Sequence, residues 1–597
     1  MNSRVAFENR KTMIDGSPVQ IISGIVHYFR IPRACWRDRL EKAAALGCNC
    51  IESYIFWNLT EPEEGRFCME DNLDFRAFFR MVQELGMYAM VRPGPYTCSE
   101  CDNGGLPWWL MNKKDLRVRC SNAAYLEAVE KYWSVLLPEI VPLQYDNGGP
   151  IICMQIENEY GGYCHDKEYL QFLADFSRKS GITVPLTTSD GDCIKYIRSG
   201  MIDGAHMTMN FGFDAAKTLK AGLTVRPDDP PFCGEFWGSW FDHWGEGGHF
   251  VRDPDEQAKE LDDILSMGGN VDIYLAAGGS QFGFMAGANK MPGEPYAPDS
   301  TSYDFDAPIS ETGDIRPKFH VLQQVIAKYR KDFVPSTPSD PEKRAYGKLE
   351  FIGTAKLFDH LDELSVPVES LHPMTMEELN QGYGFTLYRT VIEGEHSDPI
   401  ALEKARDRVQ VFLNRQPAGV IYRNDETFAT RELHFPAGKN TVDLLVENLG
   451  RINYGPFVGR DPKGIVGSVM LGKQIRLHFK QYPLELKSLE KLTFDAVDTD
   501  TAEPAFHLAE LEITGTPCDT FVVFPGVRGC VFVNGFALGR YWDIGPARTL
   551  YLPGCFLRQG KNQLVVFETT SLHTPFLELA GEHDLGPERS FWANIKV

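Results

Sequence analysis

Two acidic segments carry the chemistry this sequence offers. One is Gln155-Ile156-Glu157-Asn158-Glu159-Tyr160-Gly161, and the other holds Glu235 within Cys233-Gly234-Glu235-Phe236-Trp237-Gly238-Ser239-Trp240. Both sit in apolar runs, where an ionised carboxylate is costly unless it has a partner or a task. Strand alternation puts Glu157 and Glu159 on one side of a sheet and Asn158 on the other, unless the strand has already ended. Trp108, Trp109, Trp237, Trp240 and Trp244 offer flat apolar surfaces of the kind on which sugar rings stack. Two opposed carboxyls among aromatics are the apparatus of glycoside hydrolysis. Any one of these residues alone would as readily plug a core or pair with an arginine. Two acids at the same end of opposite strands tell against that.

The elements that must position them alternate through the first 330 residues. Eight candidate strands fall at 19–28, 48–57, 87–96, 150–160, 184–190, 206–212, 230–240 and 270–279. Most are near-continuous apolar runs, as expected of a parallel sheet covered on both faces. Helical patterns lie between them. Trp36, Leu40, Ala43 and Ala44 follow the first strand, and Ala124 to Leu137 reads as a long helix. Asp253-Pro254-Asp255-Glu256 gives an N-cap, a proline at the first helical position and a capping-box acid. This is the pattern of a (β/α)8 TIM barrel, whose strands four and seven face each other across the mouth and whose chemistry sits at the C-terminal strand ends. An open doubly wound sheet is the runner-up, but it would want a Gly-rich phosphate loop after the first strand, and SGIVHYFRIP is not one.

The texture changes at 333–347, where FVPSTPSDPEKRAYG reads as a linker. Short alternating strands dominate after it, and they repeat. VQVFLNRQPAGVIYR (409–423) resembles GCVFVNGFALGRYW (529–542), and FPAGKNTVDLLVEN (435–448) resembles LRQGKNQLVVFE (557–568). A near-constant offset over two blocks predicts two copies of one all-β unit. The expected division is a barrel at 1–332, a linker at 333–347, a jelly-roll or β-sandwich domain at 348–485 and a second β-sandwich at 486–597. A length of 597 residues agrees with about three domains.

Sixty basic against 82 acidic residues give a formal charge of −22. Nucleic-acid and anionic-membrane partners are therefore not expected. No run reaches the roughly 18 apolar residues of a membrane span, and the N-terminus lacks a signal-peptide pattern, so a cytoplasmic location is expected. The fourteen cysteines have irregular spacing and read as reduced thiols. Cys98-x-x-Cys101 has zinc or redox spacing but no companion motif. His27, His206, His243 and His249 show no ligand spacing either, so neither metal nor cofactor is expected.

At this point the sequence resembles glycoside hydrolase family 35, the retaining β-galactosidases. The resemblance covers nearly the whole chain and rests on six blocks in the family's order. They are Ser23-Gly24-x-x-His27-Tyr28-x-Arg30, SYIFWNLTEPEEGRF (53–67), RPGPYTCSECDNGGLPWWL (92–110), QIENEYG (155–161), GEFWGSWFDHWG (234–245) and TSYDFDAPISETGD (301–314). It implies that Glu159 is the proton donor and Glu235 the nucleophile. It further implies that Tyr54, Cys98, Ser99, Glu100 and Asn158 hold a terminal galactose, while Trp237, Trp240 and Tyr454 line the site of the departing sugar. Tyr454 would reach the barrel from a second domain. Two departures stand out. Ser280-Gln281 replaces the family's common Thr-Asn, and Phe305 replaces the second tyrosine of Tyr-Asp-Tyr-Asp, which removes a hydroxyl near the substrate.

The expected activity is thus exo-acting, retaining removal of terminal β-galactosyl units from galactoside oligosaccharides, through a covalent galactosyl-enzyme. A β1-3 linkage is suggested by the aromatic trio's resemblance alone. Exo-β-glucosaminidase or β-glucosidase action by the same machinery is one alternative. A non-catalytic sugar-binding protein is another, and a metal-dependent hydrolase a third. Oligomeric state stays open, a homodimer included, as does sugar binding by the β domains.

Overall fold

The computed structural model describes residues 3–593. Eight parallel strands close into a barrel: β1 Ile22–Val26, β2 Cys50–Tyr54, β3 Tyr88–Arg92, β4 Ile151–Gln155, β5 Leu186–Gly191, β6 His206–Phe211, β7 Phe232–Trp237 and β8 Asn270–Ala277. All eight expected strands form. Closure runs through β8 pairing with β1 (Val271↔Ile22) and β6 pairing with β7 (Asn210↔Glu235). Every residue of β1, β2, β4 and β8 is buried. That two-sided burial is why these strands read as unbroken apolar runs rather than as alternation.

A helix of seven or more residues follows each strand: α1 Trp36–Leu46, α2 Phe75–Glu84, α3 Ala123–Ile140, α4 Lys167–Lys179, α5 Ile194–Gly200, α6 Ala215–Gly222, α7 Pro254–Ser266 and α8 Pro317–Tyr329. Short polar caps start several of them. Asp74 accepts from Ala77 N, Asn122 from Tyr125 N and Asp166 from Tyr169 N. A side-chain acceptor at this position satisfies an orphan N–H and is worth about 1 kcal/mol. Asp253 caps α7 through Asp255 N and Glu256 N, with Pro254 at the first position. Glu256, expected to close a capping box, is turned instead to Trp592, whose Nε1 donates to it at 2.7 Å.

Beyond α8 the chain is all β. A six-stranded sheet runs in the order Val368–Ser370, Phe479–Leu484, Phe385–Glu393, Lys439–Glu447, Arg408–Leu413, Gln416–Tyr422. It shares its core with a second sheet through Tyr388, Val411 and Val446 on one side and Ile400, Leu402 and Val469 on the other. The later region is built on an eight-stranded order centred on Ala505–Ile513 and Gly347–Lys356. Gly347–Lys356 pairs with Phe576–Ala580 through its first half and with Ala505–Ile513 through its second. That strand precedes the first sandwich in sequence but belongs to the sheet of the second; pairing partners that far away leave no mark on local pattern.

The internal repeat is structural. Arg408–Leu413 and Gln416–Tyr422 form a bulged hairpin beside Lys439–Glu447, and Arg528–Val533 and Phe536–Trp542 form another beside Gly560–Glu568. Asn414 and Asn534 both take φ of 50° at the hairpin tip. Each donates to the next strand's asparagine at 2.9 Å, Asn440 in one copy and Asn562 in the other. Asparagine tolerates this left-handed turn conformation and fixes it by bonding locally.

One loop of the first sandwich, around Arg451–Tyr454, docks on the barrel mouth. Arg451 is fully buried and paired with Asp102 and with Glu377. Asn453 Nδ2 donates to Asp299 at 2.8 Å, and Tyr96 OH donates to Asn453 O at 2.7 Å. Among the described residues no helix is long and apolar enough to cross a membrane.

Candidate active site

The two acidic segments meet at the C-terminal ends of the strands. β4 stops at Gln155, four residues before Glu159. Beyond it the chain turns through left-handed conformations at Glu157 (φ 60°) and Glu159 (φ 48°). The expectation that these two acids share a side therefore fails, because period-two alternation ended with the strand. Glu157 turns away into a buried bidentate pair with Arg119 (3.0 and 2.8 Å), reinforced by Tyr169 OH at 2.9 Å. Glu159 turns inward. Gly161 secures this turn, since a Cβ there would lie 1.8 Å from Tyr196 O, and its N–H donates to Asp190 at 2.7 Å.

Glu235, on β7, is met by three donors. Arg92 Nη1 at the end of β3 lies 2.5 Å from its Oε1, Tyr54 OH donates to Oε1 at 3.2 Å, and Trp237 Nε1 to Oε2 at 3.3 Å. A group faced only by donors is set up as a carboxylate acceptor. The same Arg92 Nη1 donates to Asn158 Oδ1 at 2.6 Å, which leaves the Asn158 amide nitrogen as the group it can offer to a substrate hydroxyl.

Glu159 has the opposite setting. Its one side-chain donor is Asn210 Nδ2, at 3.1 Å from Oε1, with Asn210 itself oriented by Ser189 Oγ. Burial, and then the charge of Glu235, push its pKa up to about 8, against the weaker downward pull of the Asn210 bond. A carboxyl in this state carries a proton at neutral pH. The two acids are thus prepared for different tasks by environment alone.

Glu159 and Glu235 line one cavity of about 190 Å³, together with Cys98, Ser99, Glu100, Asn158, Trp237, Trp240, Phe241, Tyr274, Asn289, Phe305 and Tyr454. At one end Cys98, Ser99 and Glu100 take three consecutive left-handed conformations (φ 63°, 54° and 52°). Such strain costs about 1–3 kcal/mol per residue and is typical of functional sites. Arg30 donates to Ser99 O, Tyr274 OH to Ser99 Oγ at 3.3 Å, and Gly287 N to Glu100 O at 2.8 Å, which together hold the turn. Burial pushes Glu100 up to about 7, opposed by a hydrogen bond from Tyr303 OH. Trp237 and Trp240 meet edge to face at 5.5 Å in the same wall, and Tyr454 arrives from the first β-sandwich.

Every site residue singled out in the sequence except Tyr54 lines this cavity, and Tyr54 lies behind it against Glu235. Three of the five tryptophans first considered do not. Trp108 and Trp109 donate to the backbone carbonyls of Pro62 and Glu61, and Trp244 packs on Phe524. The four histidines are dispersed: His27 beside Arg30, His206 on Asp229, His243 between Asp299 and Glu246, and His249 on Asp242.

A protein-family model described as Glycosyl hydrolases family 35 matches residues 11–329, the whole barrel. The chain belongs to this family. Two further models match the β regions, "Beta-galactosidase, first all-beta domain" over 373–485 and "Beta-galactosidase, galactose-binding domain" over 504–562. As a glycoside hydrolase of family 35 the chain is similar along nearly its whole length to proteins from distant organisms. A "Beta-galactosidase" of Xanthomonas manihotis is 39% identical over 546 residues, covering 90% of this chain and 89% of that protein. "Beta-galactosidase-1-like protein 2" of Homo sapiens is 38% identical, covering 96% and 91%. "Beta-galactosidase 17" of Arabidopsis thaliana is 38% identical, covering 95% and 87%.

Sequence reasoning passed over several polar residues of this hydrolase's site, Arg92, Asn210, Tyr274 and Asn289 among them. Arg92 ends an apolar strand with no exposed surface, and a lone arginine at a strand end was the available signal. Asn210 is the last residue but one of β6, at the level where the other strands deliver polar groups, a signal visible only once the eight strands are aligned.

Proposed function

We propose that the protein, a β-galactosidase, acts in exo fashion and with retention on the terminal non-reducing β-D-galactosyl residues of oligosaccharides or glycans. What carries the reading is the contrast between Glu159 and Glu235 across one cavity. Glu235, as carboxylate, attacks the anomeric carbon while Glu159 passes its proton to the glycosidic oxygen, and the leaving sugar departs as an alcohol. Glu159, now ionised, takes a proton from water as the water oxygen attacks the same carbon, and Glu235 is released. Two inversions give retention, for which the carboxyls need to stand about 5–5.5 Å apart.

Tyr54, Cys98, Ser99, Glu100 and Asn158 hold the galactosyl ring, and Trp237, Trp240 and Tyr454 receive the leaving sugar, β1-3 linked in our reading. A cavity of about 190 Å³ lies below the ~300–1,000 Å³ usual for drug-sized ligands, which suits one ring and supports exo action. The cysteines are all thiols among the described residues, in keeping with a reducing cytoplasmic setting.

The test is stereochemical. NMR of the first-formed galactose should show the β anomer, and Glu235→Gly supplied with azide and an aryl galactoside should yield the α-galactosyl azide. An α first product sinks the retaining mechanism. A panel of nitrophenyl glycosides decides against glucosidase or glucosaminidase action, and β1-3, β1-4 and β1-6 galactosyl disaccharides decide the linkage.

A further inference from the structure

The last described residues return to the barrel. Glu588–Ser590 pairs in parallel with His249–Val251, the segment between β7 and α7, with His249 N donating to Pro587 O at 2.8 Å. Arg589 lies over the Phe250 ring at 4.9 Å. Trp592 packs on Phe213 and donates to Glu256. Between these anchors Phe591 is driven inward and has no exposed surface.

Its ring faces Trp240 at 6.5 Å and 52°. Trp240 has three other aromatic neighbours, Trp237, Phe241 and Phe305, and all three line the cavity themselves. Phe591 does not. It stands behind the Trp240 wall and supports it from outside the site. It has a second connection too. The Arg252 guanidinium lies 5.1 Å from the Phe591 ring, and its Nη1 donates to Trp237 O at 2.7 Å. A single buried ring thus touches both tryptophans of the cavity wall, one directly and one through Arg252.

We propose that the C-terminal strap, through Phe591, positions Trp240 and so tunes how well the enzyme accepts the departing sugar, making Phe591 a specificity-determining positioning residue supplied by the far end of the chain. This rests on the reading above that Trp240 receives the leaving sugar.

The experiment uses the full chain and four variants: Phe591→Leu, Phe591→Ala, Trp240→Ala and the Phe591→Ala/Trp240→Ala pair. KM and kcat are measured on a galactosyl disaccharide, with inhibition by free galactose and melting temperature alongside. Phe591→Ala should raise the disaccharide KM by roughly fivefold and leave galactose inhibition within about twofold. Phe591→Leu should recover part of the loss and gives the same readout if the alanine variant does not fold. In the Trp240→Ala background the Phe591 change should add far less than it does in the wild type, since only the route through Arg252 to Trp237 is left and groups acting through one another are not additive. Equal losses for disaccharide and galactose, or effects that multiply in the double variant, overturn the strap's role alone. A Trp240→Ala enzyme with an unchanged disaccharide KM overturns both the role and the reading beneath it.

Discussion

Arg92 and Glu235 meet through Nη1 and Oε1 at 2.5 Å, and the same nitrogen bonds Asn158, so one buried guanidinium orients both the Glu235 carboxylate and the Asn158 amide. Arg92 also faces Glu52, at 3.2 Å. A lysine would keep the charge but lose the fork that spans these partners. Arg92→Lys should lower kcat by about 10²-fold or more, and Arg92→Met should also destabilise the fold by about 3–5 kcal/mol by leaving buried carboxylates unpaired. Kinetics and denaturant melts read the two effects separately. A lysine variant with wild-type kcat would remove Arg92 from the mechanism.

The pH dependence follows from Glu159. Held up at about 8 by burial and by Glu235, it keeps its proton through neutrality, so kcat/KM should fall on the alkaline side near pH 8. The Asn210 bond pulls that value down, so Asn210→Ala should move the alkaline limb upward while lowering the rate. A limb that stays put or moves down would separate Asn210 from the titration of Glu159.

The same shift has a stability sign. In the unfolded chain a glutamate loses its proton near 4.3, while folded Glu159 keeps it to about 8. Between those values the native state binds the extra proton, so stability drains away as pH rises through that window. Glu159→Gln carries no such cost. The variant should match wild type in melting temperature at pH 4 and exceed it progressively toward pH 8, while losing turnover on poor leaving groups by several powers of ten. Parallel melting curves at all pH values would show that Glu159 is not held protonated.

Legibility of this site divides along physical lines. The barrel could be read because strands buried on both faces, such as Ile151–Gln155 and Asn270–Ala277, leave long apolar runs that need no partner to be recognised. The acid pair and its aromatic company could be read from type and spacing. The facing of Glu157 could not, because it depends on where β4 stops, and one unwound residue reverses every side chain after it. The pairing of Gly347–Lys356 could not be read either, because its partners lie near 505 and 576 and leave no mark on the local pattern. Trp108 and Trp109 have the right residue type, but each is claimed by a backbone carbonyl, a choice made by loop geometry.

The last prediction concerns the coupling between domains. Tyr454 reaches the cavity on a loop whose anchor is Arg451, fully buried and bonded to Asp102 of the barrel (3.0 Å), to Glu377 of the first β-sandwich (2.6 Å) and to Gly382 O (2.8 Å). Desolvating this cation is repaid only while both acids face it, so removing it strands two buried carboxylates. Arg451→Met should cost about 3–5 kcal/mol of stability and, below its melting temperature, raise KM for disaccharides more than the inhibition constant for galactose, because the wall that Tyr454 completes loosens while the strained Cys98–Glu100 turn keeps its own bonds to Arg30, Tyr274 and Gly287. Tyr454→Phe, which leaves the anchor intact, should alter disaccharide kinetics without the loss of stability. If both variants melt alike, Arg451 is not the anchor. If Arg451→Met raises both constants equally, the loop supports the whole site rather than its outer wall.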